Sequence, residues 1–392
     1  MSGVVYRLCH NDHKVVEDFL SRRPEGVAGI LLDPKWAHEQ AGAAEAARAA
    51  GVPVYFEPAT ERLVAPGFEV ASSEYTHTVW DPQELVASPQ RRRDLIEAVL
   101  RAHPESVTAI TPPHFLVGDE RSASLNAVLA QETSAHGEQS VRAIVLVQRS
   151  YATKDPAALA HAYVAAGIEH VELRLTPVGG EGESLAKISS VFMIARAFTD
   201  AGITVTMGQS GNLGHVAVVQ GHAAEYSVGV GLLESVNHGA VMKRQTAPPK
   251  PRDPADGEEG NGPRGALAGI YLPGLAATVR RQVGKNLLGH SDLKLKVSCR
   301  LACCANSIEG PARNPRGHYL TTRAHEVSQV MDQPPAWRAN AEAQRLERAL
   351  QLRQMINEHY LTKDDQPLPT RTLQSLVDAL RGEQPQRGSR TA

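Results

Sequence analysis

What most constrains this chain is an alternation, running from Gly3 to about Asn237, of short apolar β-rich runs with alanine-rich helical stretches. Eight runs read as strands: Val4–His10, Val27–Pro34, Val52–Pro58, Val107–Phe115, Arg142–Ser150, His170–Pro177, Ile203–Ser210 and Ala224–Gly231. Between them, HEQAGAAEAARAAG, DPAALAHAYVAAGIE and SLAKISSVFMIARAFTDAG repeat apolar residues at helical spacing. Gly51, Gly167 and Gly202 fall where helix-ending glycines belong. Near-continuous apolar strands separated by helices call for a parallel sheet covered by helices. Eight such units in roughly 235 residues predict a (β/α)8 TIM-type barrel over residues 1–244. A doubly wound open sheet is the alternative. No G-x-G-x-x-G follows the first run, which counts against its dinucleotide-binding form.

The rest of the chain breaks this rhythm. Residues Ala59 to Pro89, with Pro66, Gly67, Trp80 and Pro82, form a connection too long for a simple turn. In a barrel such a loop covers the active site. Residues 245–265 (QTAPPKPRDPADGEEGNGPRG) lack an apolar period and read as a flexible linker or insertion. A mostly helical, cysteine- and histidine-bearing extension follows over 266–361. It ends in a helix from Trp337 to Tyr360 whose buried stripe is Leu346, Leu350, Leu352, Met355 and Ile356. Residues 362–392 read as a polar, fraying tail.

No run of about eighteen apolar residues exists, so no membrane partner is expected. The N-terminal MSGVVYRLCHNDHK lacks a basic region leading into a long apolar core, so it does not read as a secretory signal. Four cysteines, three of them within positions 299–304, do not make a disulfide scaffold in 392 residues; a reduced, cytoplasmic protein is expected. Nothing here fixes the oligomeric state, which leaves room for a homo-oligomer.

In a barrel, polar residues at strand C-termini face substrate. Here they are Asp33, Glu57, His114, Gln148, Arg149, Glu172, Arg174, Gln209, Ser210 and Glu234. Glu172 and Arg174 stand two apart on one strand and share a face, as a structural ion pair or as a substrate clamp. The glycine-rich turns Met207–Gly214 and Gly229–Ser235 let backbone N–H groups approach a ligand, phosphate being the usual one at that place in barrels.

The strongest local signal is VSCRLACCANSIEGPARNPRGHYLTTRAHEV. Cys299, Cys303 and Cys304 precede His318 and His325, enough for a Cys3His or Cys2His2 zinc set. Adjacent Cys303 and Cys304 seldom bind one ion together, which makes one of them a bystander; reduced cysteines in a small core are the other reading. Cys9 reads as core. Although the chain as a whole carries 41 basic and 43 acidic residues, 264–323 holds ten Lys/Arg opposed only by Asp292 and Glu309. Arg280, Arg281, Lys294 and Lys296 head that basic set, which suits a phosphate backbone of tRNA or DNA.

Several segments, in order, resemble the tRNA-guanine transglycosylase family, zinc-bearing barrels that exchange a guanine in tRNA. IVLVQRS resembles that family's I-V-Q-G-G, Gly179–Gly180 before Glu181 its G-G-L-x-V-G-E loop, and MGQSGNLG its M-G-x-G-x-P; the basic knuckle with HYLTTRAHEV is similar to its zinc segment. The resemblance covers roughly residues 140–360. It implies that Gln148 reads a base, that Gly179 and Gly180 line the substrate, and that zinc sits on the cysteines. The family's F-D-[CS]-[VA] nucleophile and D-S-G-G-[FY] base have no counterpart. Glu234 in GLLESVN stands in for the first, and Asp33 or Glu57 for the second. The expected activity is exchange or release of a nucleobase by two-step displacement at a ribose C1′. Two competitors stay open: a barrel lyase or hydrolase acting on a small phosphorylated substrate, and a nucleic-acid-binding barrel without catalysis.

Overall fold

The computed structural model describes residues 2–71, 73–246, 269–304, 307–361 and 366–382. Seven of the eight expected runs are strands: β1 Gly3–Arg7, β2 Val27–Leu32, β3 Val54–Phe56, β4 Arg142–Gln148, β5 His170–Thr176, β6 Thr204–Met207 and β7 Glu225–Gly229. They form one parallel sheet in the order β3-β2-β1-β7-β6-β5-β4. Almost every residue in it is buried, because helices cover one face and inward side chains fill the other. Register is fixed along it, with Tyr6 opposite Val228 and Leu146 opposite Arg174.

The fourth run, Val107–Phe115, is the exception to the eight-strand expectation. It stays extended and joins the two sheet edges: Thr108 N–H donates to the Val54 carbonyl at 2.8 Å, and Ile110 and Val117 bridge to Val141 and Val147. Pro112 and Pro113 lie between those contacts, and without N–H groups they cannot continue a ladder. The result is a curled seven-stranded sheet whose edges meet through an irregular segment.

Helices follow most strands and end as the sequence implied. Gly51, Gly167 and Gly202 close the helices Ala41–Ala49, Pro156–Ala165 and Leu185–Asp200 at φ of 73°, 75° and 85°, a region that costs glycine little. The long 59–89 connection folds on itself. Leu63, Phe68, Val70, Tyr75 and Trp80 bury against Leu95, Ile96 and Val99, so this loop has its own core and is rigid enough to hold side chains over the strand ends.

Beyond the sheet, β8 Ile270–Leu272 and β9 Ala277–Val279 form an antiparallel hairpin. The helices Pro315–Met331 and Pro335–His359 follow. The second matches the expected helix and buries Leu346, Leu350 and Ile356, while Leu352 and Met355 are only partly covered and Trp337 is exposed. Tyr319, Leu320, Val327 and Leu346 belong to the same apolar core as the strands, and Tyr6 of β1 donates to the Leu320 carbonyl at 2.6 Å. A buried charge cluster adds to this seam: Arg323 donates to Glu326, Tyr271 and Asn212, and Arg345 to Glu342. The expected polar tail needs correction. Arg371–Gly382 is a helix that buries Leu373, Leu376, Val377 and Leu380, a spacing of three, one and three that places them on one stripe. Most of the expected linker lies outside the described residues. Among the described residues no helix is long and apolar enough to cross a membrane.

Candidate active site and metal centre

A ladder of buried charges runs through the inside of the sheet, from the C-terminal end of β1 to the first residue of β4. Arg7 at the end of β1 reaches Asp33 at 2.7 Å and Glu57 at 2.6 Å. The other oxygen of Glu57 meets Arg174 at 2.5 Å; Arg174 then donates to Glu172 at 2.8 Å, and Glu172 accepts from Arg142 at 2.6 Å. The sequence singled out Asp33, Glu57, Glu172 and Arg174, and all four are joined here. Their neutralising partners Arg7 and Arg142 were missed: Arg7 lies three residues before the end of the run Val4–His10, and Arg142 opens its strand, at the opposite end from the one that faces substrate in a barrel.

The two glutamates of this ladder stay ionised. Burial would raise Glu57, but Arg174 and Arg7 hold it well below the ordinary carboxylate range. Burial likewise opposes, and Arg174 and Arg142 override, at Glu172, which falls to about 2. Both oxygens of Glu57 are engaged by arginines, which do not surrender protons near neutral pH.

Around the ladder lie buried polar atoms with no hydrogen-bond partner among the described residues: Arg174 Nη2, Gln209 Nε2, His114 Nε2, Glu61 Oε2 and His238 Nε2. Unpaired buried groups are rare in folded proteins and call for a reason. Gln209 also adopts φ of 43°, a strained value for a residue with a side chain, held by its N–H to Ser227 Oγ at 2.8 Å. His114 Nε2 and Glu61 Oε2 stand 3.1 Å apart, and although burial would raise the Glu61 carboxyl, His114 holds it below its ordinary value. His238 opens the helix His238–Thr246, which lies across the strand ends. Burial lowers its imidazole to about 4, so the ring is neutral near pH 7. Glu61 and His238 were not foreseen; one sits within the long loop and the other beyond the last strand.

At the edge of this region a cavity of about 450 Å3 opens between the ends of β4 and β5 and the helix 238–246. Gln148, Thr176, Asn237 and Lys243 line it, and Gln148 is exposed to it. Arg149 is elsewhere, donating to Ser190 on a covering helix at 3.0 Å. A second, much smaller cavity holds Gly179, Gly180, Ser210 and Glu234 together. Glu234 there accepts from Thr278 at 3.2 Å and Tyr319 at 3.3 Å, and burial raises its carboxyl above the ordinary value. It shares no hydrogen bond with the charge ladder.

The cysteine segment gathers into one place. The ligand atoms of Cys299, Cys303, Cys304 and His318 all lie within 4.8 Å of one another. Cys299–Cys303 is 3.9 Å, Cys303–Cys304 3.7 Å, and His318 Nδ1 lies 3.8 and 3.4 Å from the sulfurs of Cys303 and Cys304. A tetrahedral ion with metal–sulfur bonds of about 2.3 Å has edges of about 3.8 Å, so the donor set fits one. The expected bystander among the adjacent cysteines is not seen, since both sulfurs belong to the group, and His325 lies outside it. His318 Nε2–H donates to the Tyr271 carbonyl at 2.8 Å, which turns a bare Nδ1 toward the sulfurs. Hydrogen bonds from Cys303 and Cys304 push the Cys299 thiol down toward the thiolate a metal requires.

Of the nine described basic residues in 264–323, Arg280, Arg281, Lys285, Lys296, Arg300 and Arg313 are exposed, with Lys294 partly so. Arg323 is buried on Glu326, and Arg316 is paired with Asp12 at 2.8 Å, so those two do not add to a surface field.

No family model and no curated protein matches the chain. Among solved structures, one named as a fructose-1,6-biphosphate aldolase from Coccidioides immitis is 15% identical at a TM-score of 0.33, covering 64% of this chain and 83% of that one. The carboxyl transferase domain of pyruvate carboxylase from Rhizobium etli is 9% identical at a TM-score of 0.34, covering 63% of this chain and 43% of that one. These scores are too low for either to bear on the chemistry of this chain.

Proposed function

We propose that this protein is a zinc-bearing enzyme that exchanges or releases a nucleobase in a nucleic acid, with the base bound at the C-terminal ends of β4 and β5. The observation that supports this most is the set of unpaired buried atoms around the charge ladder. Arg174 Nη2 and Gln209 Nε2 offer donors, and Glu61 Oε2 offers an acceptor, within one covered polar region. A heterocycle with adjacent carbonyl and N–H groups answers both kinds. The sequence resemblance gives Gln148 the part of base reader, and its amide lines the cavity. Cys299, Cys303, Cys304 and His318 would hold zinc, which in this reading ties the segment 299–304 to the helix Pro315–Met331 and takes no part in bond making.

Glu234 is the proposed nucleophile. Its bonds to Thr278 and Tyr319, rather than to any group of the ladder, favour a second reading, in which the chain binds a nucleic acid and does no chemistry on it. Labelled guanine incorporated into bulk tRNA or duplex DNA separates the two. Under the first reading Glu234→Gln lowers incorporation by orders of magnitude and leaves nucleic-acid binding in place. Incorporation that survives the substitution removes Glu234 from the mechanism. No incorporation with either nucleic acid leaves the binding reading.

A further inference from the structure

Every carboxylate of the charge ladder is matched to arginine, and arginine cannot serve as a proton source or sink. Glu61 is different. Its neighbour is His114, at 3.1 Å, and both side chains are about 95% buried or more. Two features of the loop fix this contact. Thr60 Oγ1 donates to the His114 carbonyl and accepts from the His114 N–H, each at 2.7 Å, which clamps residues 60–61 to residue 114. The folded core of the 59–89 loop holds that clamp in place.

The imidazole of His114 is flanked by acceptors on both sides. Nδ1 lies 3.4 Å from the Pro112 carbonyl, and Nε2 faces the Glu61 carboxylate. A ring with one proton always leaves a bare nitrogen against an oxygen lone pair. A second proton, on the ring or on Glu61, removes that conflict. The contact therefore has room for one proton more than a neutral histidine and a carboxylate carry between them. The titratable and charged groups around it are Glu57 beyond β3, Arg62 and Tyr75 of the loop, Arg174 on β5, and His238 on the helix that covers the strand ends; Arg7 on β1 acts on His238.

We propose that Glu61 and His114 form the acid–base dyad of this site, in place of Asp33 or Glu57. This rests on the reading that a nucleobase is handled here. In the forward step the bond between ribose carbon and base nitrogen breaks, and its electron pair goes to the nitrogen. The dyad gives its shared proton to that base, while a carboxylate nucleophile takes the carbon. The incoming base's nitrogen then bonds to the carbon as the carbon–carboxylate bond breaks, its electron pair returning to the nucleophile, and the base gives its proton to the dyad, so protons and electrons balance over the cycle.

The test has two arms on the full-length protein. The first needs no substrate: the proton spectrum contains a far-downfield imidazole N–H resonance that His114→Gln removes and Glu61→Gln moves upfield. A wild-type spectrum without such a resonance, or one that Glu61→Gln leaves unmoved, overturns the dyad. The second arm uses guanine exchange. His114→Gln lowers turnover 10²–10⁴-fold, the usual contribution of acid–base catalysis, and Glu61→Gln shifts the pH profile while thermal stability is kept. Unchanged turnover and an unchanged pH profile in both variants overturn it as well. If no exchange is found at all, the nucleobase reading fails, and the first arm still decides the dyad.

Discussion

At the residue scale, the charge ladder explains why charged side chains can fill the inside of a largely apolar sheet. Each carboxylate there has lost water and gained one or two guanidinium partners. Breaking such a set is costly because the partners stay behind. Glu57→Gln leaves Arg7 and Arg174 without a counter-charge and should destabilise the fold by about 3–5 kcal/mol, read as a lower urea midpoint at an unchanged slope. The same groups set the acid limit. Folded-state values of Glu57 and Glu172 lie below the ordinary carboxylate range, so the stability they add is present above that range and is lost as pH falls through it. With Glu172 at about 2, its share is roughly 3 kcal/mol at neutral pH, gone by about pH 2. Thermal melts between pH 6 and 2.5 should fall progressively; a flat profile would mean the ladder is not ionised. Asp33 and Glu57 were legible in the sequence because each follows directly on an apolar run, and Glu172 and Arg174 because they are charges spaced two apart within one. Glu61 was not, since it lies inside a loop whose fold depends on Trp80 and Leu95, residues far along the chain.

At the scale of elements, the strand–helix rhythm was legible because burial on both faces leaves a continuous apolar run that few other structures share. The fourth run failed as a strand for a local reason, Pro112 and Pro113, although both were visible in the sequence. The helix Arg371–Gly382 was less legible despite its period, because polar residues on its outer face make a chain end look solvated throughout. Its role predicts a cost: Leu376→Ala should destabilise by about 2–5 kcal/mol, a value that would sit near zero for a frayed tail. The metal set makes a second prediction at this scale. One zinc per chain should be found by elemental analysis after purification without chelator. Cys304→Ser should lower zinc content and melting temperature together, as removal of a ligand couples to folding. Full zinc in that variant would assign Cys304 to the core instead.

At the scale of the whole molecule, the C-terminal helices share a core with the sheet, so the metal centre, the small Glu234 cavity and the charge ladder belong to one body. The basic segment is weaker than its sequence count, since Arg323 and Arg316 are spent internally. The exposed Arg280, Arg281, Lys285, Lys296 and Arg300 still outnumber the exposed Asp292 and Glu309, and Glu309 is paired with Arg313. Changing Arg280 and Arg281 to Glu should weaken RNA binding and flatten its salt dependence, the log–log slope falling by about one for each phosphate no longer neutralised. Binding that ignores the change would make this only a solvated face. The central claim is that the cavity at the ends of β4 and β5 receives a base, and calorimetric titration of the purified protein with guanine tests it most directly. The account predicts one saturable site per chain, weakened about tenfold or more by Gln148→Ala, a substitution at an exposed lining residue that should leave the melting temperature unchanged. No binding of guanine, or binding that Gln148→Ala does not alter, would contradict it.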